Sequence, residues 1–204
     1  MNESGTKSNG VKMSEYQRYW VELLKDKIKR IDNFPKQGIK FFDWLPILAN
    51  WQNFGSLISA LANQIEKFET KPDVLVAVEA RGFLLAAPLA LRMGKNVIVA
   101  RRPNKLPGSI IIRTQKTEYG QDELAIQRGY VTHKNALVID DVIATGGTYE
   151  CVKELIEADH GECIGLIGIL ELPYCQTNPI ENCHTIFKAE TPDSKLKINE
   201  NKHT

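Results

Sequence analysis

ALVIDDVIATGGTYE, residues 136–150, is the segment from which the architecture of the whole chain can be worked out. Its leading run of four apolar residues predicts a strand that is buried on both faces, as in a parallel sheet. Two carboxylates, Asp140 and Asp141, follow where this strand ends. A turn with two glycines comes next, and a helical pattern begins at Thr148. The segment therefore predicts a strand, a tight turn and a helix in direct succession.

This arrangement suits an anion that is bound beside hydroxyl groups or a metal ion. Glycine lets the backbone turn with positive φ so that successive N–H groups point inward, and the helix N-terminus adds partial positive charge. The neighbouring carboxylates suit hydroxyl groups or a hydrated Mg²⁺. A phosphorylated sugar or a nucleotide is therefore the predicted ligand. The alternative is an acidic strand end with a simple helix cap at Thr148.

Composition and spacing disfavour several other classes of function. No lysine follows Gly147, which excludes a Walker P-loop, and the segment lacks the Gly-x-Gly-x-x-Gly pattern of dinucleotide sites. A net charge of +1 gives no global field that would attract nucleic acid or an anionic membrane. No run approaches the ~20 apolar residues that span a bilayer. The four cysteines have no Cys-x-x-Cys spacing, which favours reduced thiols in a cytoplasmic protein without a zinc site.

The chain of 204 residues is expected to form one domain with a sizeable core. Residues 1–13 are predicted to form a disordered tail and residues 14–190 the single domain. Residues 191–204 are predicted to form a polar, frayed C-terminal tail. Strand and helix patterns alternate through the middle of the chain. This alternation predicts an α/β fold with a doubly wound, mostly parallel sheet and helices on both faces. Residues 108–127 predict a flexible hairpin-like arm, which is a candidate lid.

Three further segments place charged or aromatic side chains at candidate ligand positions. Residues 79–83 (EARGF) follow a predicted strand at residues 74–78, and open α/β sheets place ligand groups at such strand ends. Residues 101–108 form a basic Pro/Gly loop that suits pyrophosphate, although a solvated basic loop fits its composition equally well. The aromatic residues within 34–46 could cover a flat ligand, but composition alone favours a place in the core.

Together these separated segments resemble one family, the adenine phosphoribosyltransferases of type I phosphoribosyltransferase fold. The similarity covers roughly residues 31–172. It rests on residues 34–43 (FPKQGIKFFD), 79–83, 105–108 (KLPG) with 118–120 (EYG), and the DD/ATGGT motif. The resemblance implies transfer of the 5-phosphoribosyl group from 5-phosphoribosyl 1-pyrophosphate (PRPP) to adenine, which yields AMP and pyrophosphate in purine salvage. It also implies Mg²⁺ as cofactor and a cytoplasmic homodimer.

The resemblance implies a role in PRPP binding for three groups of residues. Backbone amides and two threonine hydroxyls of one turn would hold the 5-phosphate: Ala144, Thr145, Gly146, Gly147 and Thr148. Asp140 and Asp141 would accept hydrogen bonds from the ribose hydroxyls and stabilise positive charge on the ring. Arg81 would hold pyrophosphate with Arg101 and Lys105, one or more of them reaching in from a neighbouring subunit. Mg²⁺ would be held mainly by PRPP, with Asp140 and Asp141 reaching it at most through water.

The same resemblance implies which residues would recognise the base. Phe41 would stack on adenine, and backbone groups near Lys40 and Phe42 would read its Watson–Crick edge. Glu118 would lie over adenine N7, where it can hold a proton, with Tyr119 beside it in the closing loop.

The chain departs from the family pattern at a few positions, which leaves alternatives open. Phe42 stands where the family usually has a basic residue, Gln37 replaces proline, and Trp44 and Leu45 replace a more typical Ile-Ser. A phosphoribosyltransferase for another purine base, such as hypoxanthine or xanthine, is therefore a second hypothesis. A non-catalytic PRPP-binding regulator is a third. The third is disfavoured because the chain has neither an added nucleic-acid-binding domain nor a basic face, and because it keeps Glu118.

Overall fold

The computed structural model describes residues 14–117 and 120–199. Its helices are α1 (Glu15–Lys25), α2 (Trp51–Ile65), α3 (Arg81–Met93) and α4 (Gly147–Ala158). Its strands are β1 (Lys29–Asp32), β2 (Lys40–Asp43), β3 (Val74–Val78), β4 (Asn96–Ala100), β5 (Ile110–Thr117), β6 (Gly120–Gln127), β7 (Asn135–Ile139), β8 (Val142–Ile143), β9 (Glu162–Glu171), β10 (Cys183–Lys188) and β11 (Lys197–Ile198). Glu118, Tyr119 and the predicted disordered tail at residues 1–13 lie outside the described residues.

The central sheet confirms the predicted doubly wound architecture. Its strands lie in the order β11-β10-β9-β7-β3-β4, and β10, β9, β7, β3 and β4 are mutually parallel. The chain steps from β3 to β4 on one side and from β7 through β9 to β10 on the other. The strand order therefore reverses between β3 and β7, and in open α/β sheets a ligand crevice forms at this point, beyond the carboxyl ends of the strands.

Helices cover both faces of the sheet, as the alternating pattern predicted. On one face α2 and α3 pack against the sheet and α1 packs against α2, in a cluster that includes Leu75, Leu137, Trp44 and Phe187. On the other face α4 packs against Val138 and its neighbours together with apolar residues of β5 and β6. All five residues of β3 are buried, which is why this strand is apolar throughout and does not alternate.

The predicted hairpin arm is formed by β5 and β6, which pair antiparallel along their whole length. A bridge between Arg101 and Ala125 joins the arm to the end of β4. The strand pairing extends through the polar residues between the two apolar runs, from Ile110 with Gln127 to Thr117 with Gly120. A second small antiparallel pair, β1 with β2, carries Lys40, Phe41 and Phe42.

The C-terminal segment corrects one expectation. Residues 191–199 are not simply frayed, because β11 pairs antiparallel with β10 and Asn199 is buried. The Asn199 side-chain amide donates to Thr185 Oγ1 at 2.8 Å, and its backbone N–H donates to the Ile186 carbonyl at 2.8 Å. An edge strand offers unpaired backbone groups, and here the end of the chain satisfies them.

No helix within the described ranges has the length and apolar content that crossing a bilayer requires.

Gly82, near the start of α3, allows this helix to approach the end of β7 closely. A Cβ at this position would lie 2.6 Å from the Ile139 carbonyl oxygen, which is backbone and cannot rotate away. Gly55 in the middle of α2 differs, because a Cβ there would meet no heavy atom within 4 Å. The two glycines therefore form a matched pair for measuring the cost of this contact.

We predict that Gly82→Ala lowers the free energy of unfolding by about 1–3 kcal/mol, because α3 must move away from β7. Gly55→Ala is expected to raise it by about 0.4–1 kcal/mol, because alanine reduces the entropy of the unfolded chain and fits the helix. Urea unfolding of both variants measures the two effects. A Gly82→Ala protein as stable as the parent would show that α3 and β7 are not in this contact.

Candidate active site

The candidate site lies in the crevice where the ends of β3 and β7 meet. Residues 79–83 leave β3 and enter α3, and residues 140–148 leave β7 and enter α4. The β1–β2 hairpin reaches the same region, because Phe41 contacts Arg81. Three of the segments that the sequence singled out separately, at residues 34–43, 79–83 and 140–148, are thus brought together at the sheet's point of reversal.

The turn before α4 has the geometry of an anion site. Gly146 adopts a left-handed conformation with φ of 86°, which glycine reaches without strain, and α4 begins at the next residue. Thr145 Oγ1 accepts a hydrogen bond from the Gly147 N–H at 3.4 Å. The turn residues Ala144, Thr145, Gly146 and Thr148 line a cavity of about 80 Å³ together with Asp140. This volume corresponds to roughly two or three waters, so the cavity has room for a compact polar group.

Asp140 and Asp141 are adjacent in sequence but differ in surroundings. Asp140 is half-buried, faces the cavity, and accepts the Asp141 N–H at 2.9 Å. Burial, and then the neighbouring charge of Asp141, raises the pKa of Asp140 well above its ordinary value, although the charge of Arg81 opposes this. Asp141 is 4% exposed, and its Oδ2 accepts from Trp44 Nε1 at 2.6 Å and from Arg81 Nε at 2.9 Å.

Arg81 contacts both the acidic pair and the hairpin that is predicted to bind the base. Besides its ion pair with Asp141, its guanidinium carbon lies 5.1 Å from the centroid of the Phe41 ring, a cation–π contact. Phe34 packs edge-on against the same ring with the centroids 5.1 Å apart. In this structure the arginine therefore rests on the ring that the resemblance assigns to base stacking.

Neighbouring residues of β2 point in different directions, as expected for a strand. Phe42 is buried at 4% exposure and belongs to the core, whereas Phe41 is half-buried in the crevice. Lys40 forms an ion pair with Asp193 of the C-terminal segment. The side chain of Phe42 thus faces away from the crevice, and only its backbone can take part in base recognition.

The basic loop after β4 is partly engaged with Glu79. Arg101 Nη2 lies 3.0 Å from Glu79 Oε1, and the Arg102 N–H donates to Glu79 Oε2 at 2.9 Å. The Arg101 hydrogen bond is the main cause that lowers the pKa of Glu79 below its ordinary range. Lys105 is exposed at the end of a 3-10 turn, Pro103–Lys105. The structure therefore places Arg101 against Glu79, while Lys105 lies in solvent.

Trp44 and Glu79 contribute to the site, but the sequence did not predict a role for either residue. Trp44 was noted only as a departure from the family pattern, and Glu79 only as part of a charged segment. No local sequence pattern indicates either hydrogen bond. The partner of Trp44 is 97 positions away in the chain, and the partner of Glu79 is 22 positions away. In the described part of the chain, no group of three or more His, Cys, Asp or Glu side chains could hold a metal ion. Asp140 and Asp141 are the carboxylates at the turn that could approach one.

The comparisons with known proteins point in the same direction as this geometry. A family model described as phosphoribosyl transferase domain matches residues 46–202. An adenine phosphoribosyltransferase of Desulforamulus reducens is 40% identical over 148 residues, which is 72% of this chain and 84% of the relative. A second, from Thermosipho melanesiensis, is 37% identical over 169 residues, which is 82% of this chain and 95% of the relative.

Solved structures give the same result for the fold. Saccharomyces cerevisiae adenine phosphoribosyltransferase, in complex with adenine and D-2,5-dideoxy-2,5-imino-altritol 1,6-bisphosphate, superposes with a TM-score of 0.74 at 35% identity. The match covers 78% of this chain and 92% of the yeast chain. Because both the family model and relatives of this similarity span most of the sequence, the chain belongs to the phosphoribosyltransferase family, within the adenine phosphoribosyltransferases.

Proposed function

We propose that this chain transfers the 5-phosphoribosyl group of PRPP to adenine, giving AMP and pyrophosphate in purine salvage. The observation that carries the proposal is the turn at residues 144–148 beside Asp140. Backbone amides there can hold a phosphate, and the adjacent carboxylate can hold a sugar hydroxyl. Relatives named for the same activity are 37–40% identical to this chain over the aligned residues.

The proposed site separates the two charged ends of PRPP. The amides of the turn and the hydroxyls of Thr145 and Thr148 bind the 5-phosphate at the N-terminus of α4. Arg81 leaves Asp141 and binds the pyrophosphate, for which its planar guanidinium is suited. Arg101 and Lys105, from the same or a neighbouring subunit, add positive charge at this end.

Mg²⁺ fits this donor set as an ion carried mainly by the substrate. The proposed protein contribution is Asp140 and Asp141, which are too few to form a protein cage, as is common for Mg²⁺ bound to phosphates. When bound, the ion neutralises charge on the departing pyrophosphate. The carboxylates themselves stabilise the positive charge that develops on the ribose as the bond to pyrophosphate breaks. This developing cation also favours the ionised form of Asp140.

The base-binding half of the site is proposed from the β1–β2 hairpin and the arm. Phe41 stacks on adenine once Arg81 has left its ring, and the backbone near Lys40 and Phe42 reads the base edge. The burial of the Phe42 side chain supports a backbone role, which makes the loss of the usual basic residue compatible with adenine. Glu118, with Tyr119 beside it, holds a proton at adenine N7 and so increases the electron density at N9, the attacking atom.

We also propose a cytoplasmic homodimer. None of the four cysteines, all of which lie in the described part of the chain, forms a disulfide, which suits a reducing compartment. Leu84 and Leu91 lie two turns apart on one side of α3 and are 43% and 87% exposed. Val97 of the neighbouring edge strand β4 is 42% exposed. This apolar surface next to the basic loop supports an interface through which a partner's basic side chain reaches the site.

A panel of bases incubated with Mg²⁺ and PRPP tests the proposed activity most directly. We expect adenine to release pyrophosphate with kcat/KM at least about 10²-fold above hypoxanthine, xanthine and guanine, because backbone hydrogen bonds select the 6-amino edge. The Asp140→Asn, Asp141→Asn double variant serves as the inactive control. Turnover of a 6-oxopurine in place of adenine would favour the second hypothesis, and PRPP binding without any turnover would favour the regulator.

Asp140→Asn is predicted to move stability and activity in opposite directions. A carboxyl whose pKa is raised in the folded state contributes stability that is complete below its unfolded pKa and is lost as the pH rises through its folded pKa. Asparagine avoids this loss, so the variant should match the parent near pH 4. At pH 9 it should exceed the parent by about 2 kcal/mol, allowing for water at this half-buried group.

The same variant should lose about 10²-fold in kcat/KM for PRPP, because a neutral amide stabilises a cationic ribose poorly. Asp26→Asn, at the exposed end of α1, is the control for a general charge effect. Thermal unfolding from pH 4 to 9 and initial rates at pH 8 measure the two effects. A stability difference that does not change with pH would contradict the assigned surroundings of Asp140.

Glu118→Gln is predicted to bind PRPP normally and to turn over about 10²–10⁴-fold more slowly, because glutamine cannot take up or hold the N7 proton. Glu123→Gln, an exposed residue of β6 in the same arm, should behave like the parent. Calorimetric PRPP titration and single-turnover rates measure the two quantities. Unchanged turnover in Glu118→Gln would remove this residue from its role.

A further inference from the structure

Trp44 makes a polar contact that its position in the core does not require. It precedes the 3-10 turn Leu45–Ala49, is 1% exposed, and packs in the cluster beneath α1 and α2. Its indole N–H is a donor only, and it points to Asp141 Oδ2 at 2.6 Å. A leucine or phenylalanine could fill a core position without introducing a buried donor. The indole therefore adds a specific hydrogen bond to a carboxylate at the candidate site.

The backbone of Asp141 is held firmly, so the direction of its carboxylate depends on the side-chain contacts. Its carbonyl accepts from the N–H groups of Ile169 at 2.9 Å and Leu170 at 3.1 Å, both in β9. The carboxylate itself receives two donors on one oxygen, the Trp44 indole and Arg81 Nε. These two donors differ in one respect: the indole is packed in the core, whereas the Arg81 side chain is one-third exposed in the crevice.

The difference matters when Arg81 moves. If Arg81 binds pyrophosphate, as the proposed function requires, Asp141 loses its cationic partner while it remains buried. A buried carboxylate that loses a donor is costly, and it lowers this cost by turning toward other donors. Such a turn would weaken its stabilisation of a cationic ribose. The Trp44 indole is a donor that does not have to leave.

We propose that Trp44 is a positioning residue for catalysis: its indole N–H holds Asp141 Oδ2 after Arg81 has moved, so that the carboxylate keeps its orientation when the sugar is bound. This inference rests on the proposed function. It accounts for the tryptophan at a position where an aliphatic residue would satisfy packing alone. The role is proposed for the PRPP half of the site, because the indole hydrogen bond goes to Asp141.

Kinetics of Trp44→Phe test this role, because phenylalanine keeps most of the ring volume and removes the N–H. We expect kcat/KM for PRPP to fall about ten-fold or more, the usual effect of losing a hydrogen bond to a charged group, with most of the loss in kcat. The KM for adenine should stay within about two-fold. Trp51→Phe is the matched control, because Trp51 is 78% exposed at the start of α2 and should change nothing.

Nitrogen-15 NMR of the indole groups provides a readout that needs neither turnover nor a folded variant. In the unliganded parent protein the Trp44 indole signal should exchange with D₂O far more slowly than that of Trp51. It should shift when Mg²⁺ and PRPP are added. Exchange of Trp44 as fast as that of Trp51, or a folded Trp44→Phe protein with kcat/KM within about two-fold of the parent, would overturn the proposal. If adenine is not a substrate, the slow exchange should still be seen, so the two failures are distinguishable.

Discussion

The ion pair between Arg81 and Asp141 is the contact around which the site is built. It joins the first residue of α3 to the end of β7, at the place where the strand order of the sheet reverses. The pair can form because Gly82 lets the helix approach the Ile139 carbonyl more closely than any side chain would allow. The Arg81 guanidinium and the Asp141 carboxylate are thereby held in contact at a largely buried position. An anionic ligand that binds Arg81 must therefore break the ion pair between Arg81 and Asp141 and replace it with its own.

Asp140 and Asp141 have identical side chains but different burial and different hydrogen-bond partners. Asp141 is buried, and one of its oxygens accepts from two donors, the Trp44 indole and Arg81. Asp140 faces the cavity beside the glycine turn, and burial together with its neighbour's charge makes its ionisation harder. A positive charge developing in the cavity would reverse this preference. In the proposed reaction the pair would therefore bind a cationic ribose more strongly than a neutral sugar, which is the property that transition-state stabilisation needs.

Features that depend on local sequence could be predicted, and features that depend on long-range pairing could not. The apolar runs of β3 and β7, the glycine turn and the start of α4 follow from neighbouring residues, and the alternation of elements then gave the doubly wound sheet. The contact of Trp44 with Asp141 and the addition of β11 to the sheet have no such signal, because their partners lie far apart in the chain. The roles proposed for Glu118 and Tyr119 rest on motif similarity alone, because no physical pattern in the sequence suggests them, and they stay predictions.

In the proposed reaction one turn binds the 5-phosphate while Arg81 leaves Asp141 and binds pyrophosphate. A crystal structure of the protein with Mg²⁺ and PRPP tests it most directly. The account predicts phosphate oxygens within hydrogen-bonding distance of the backbone amides at residues 144–148, and an Arg81 guanidinium that has left Asp141 for the pyrophosphate. A turn without phosphate, or PRPP bound while the Arg81–Asp141 pair stays intact, would contradict it.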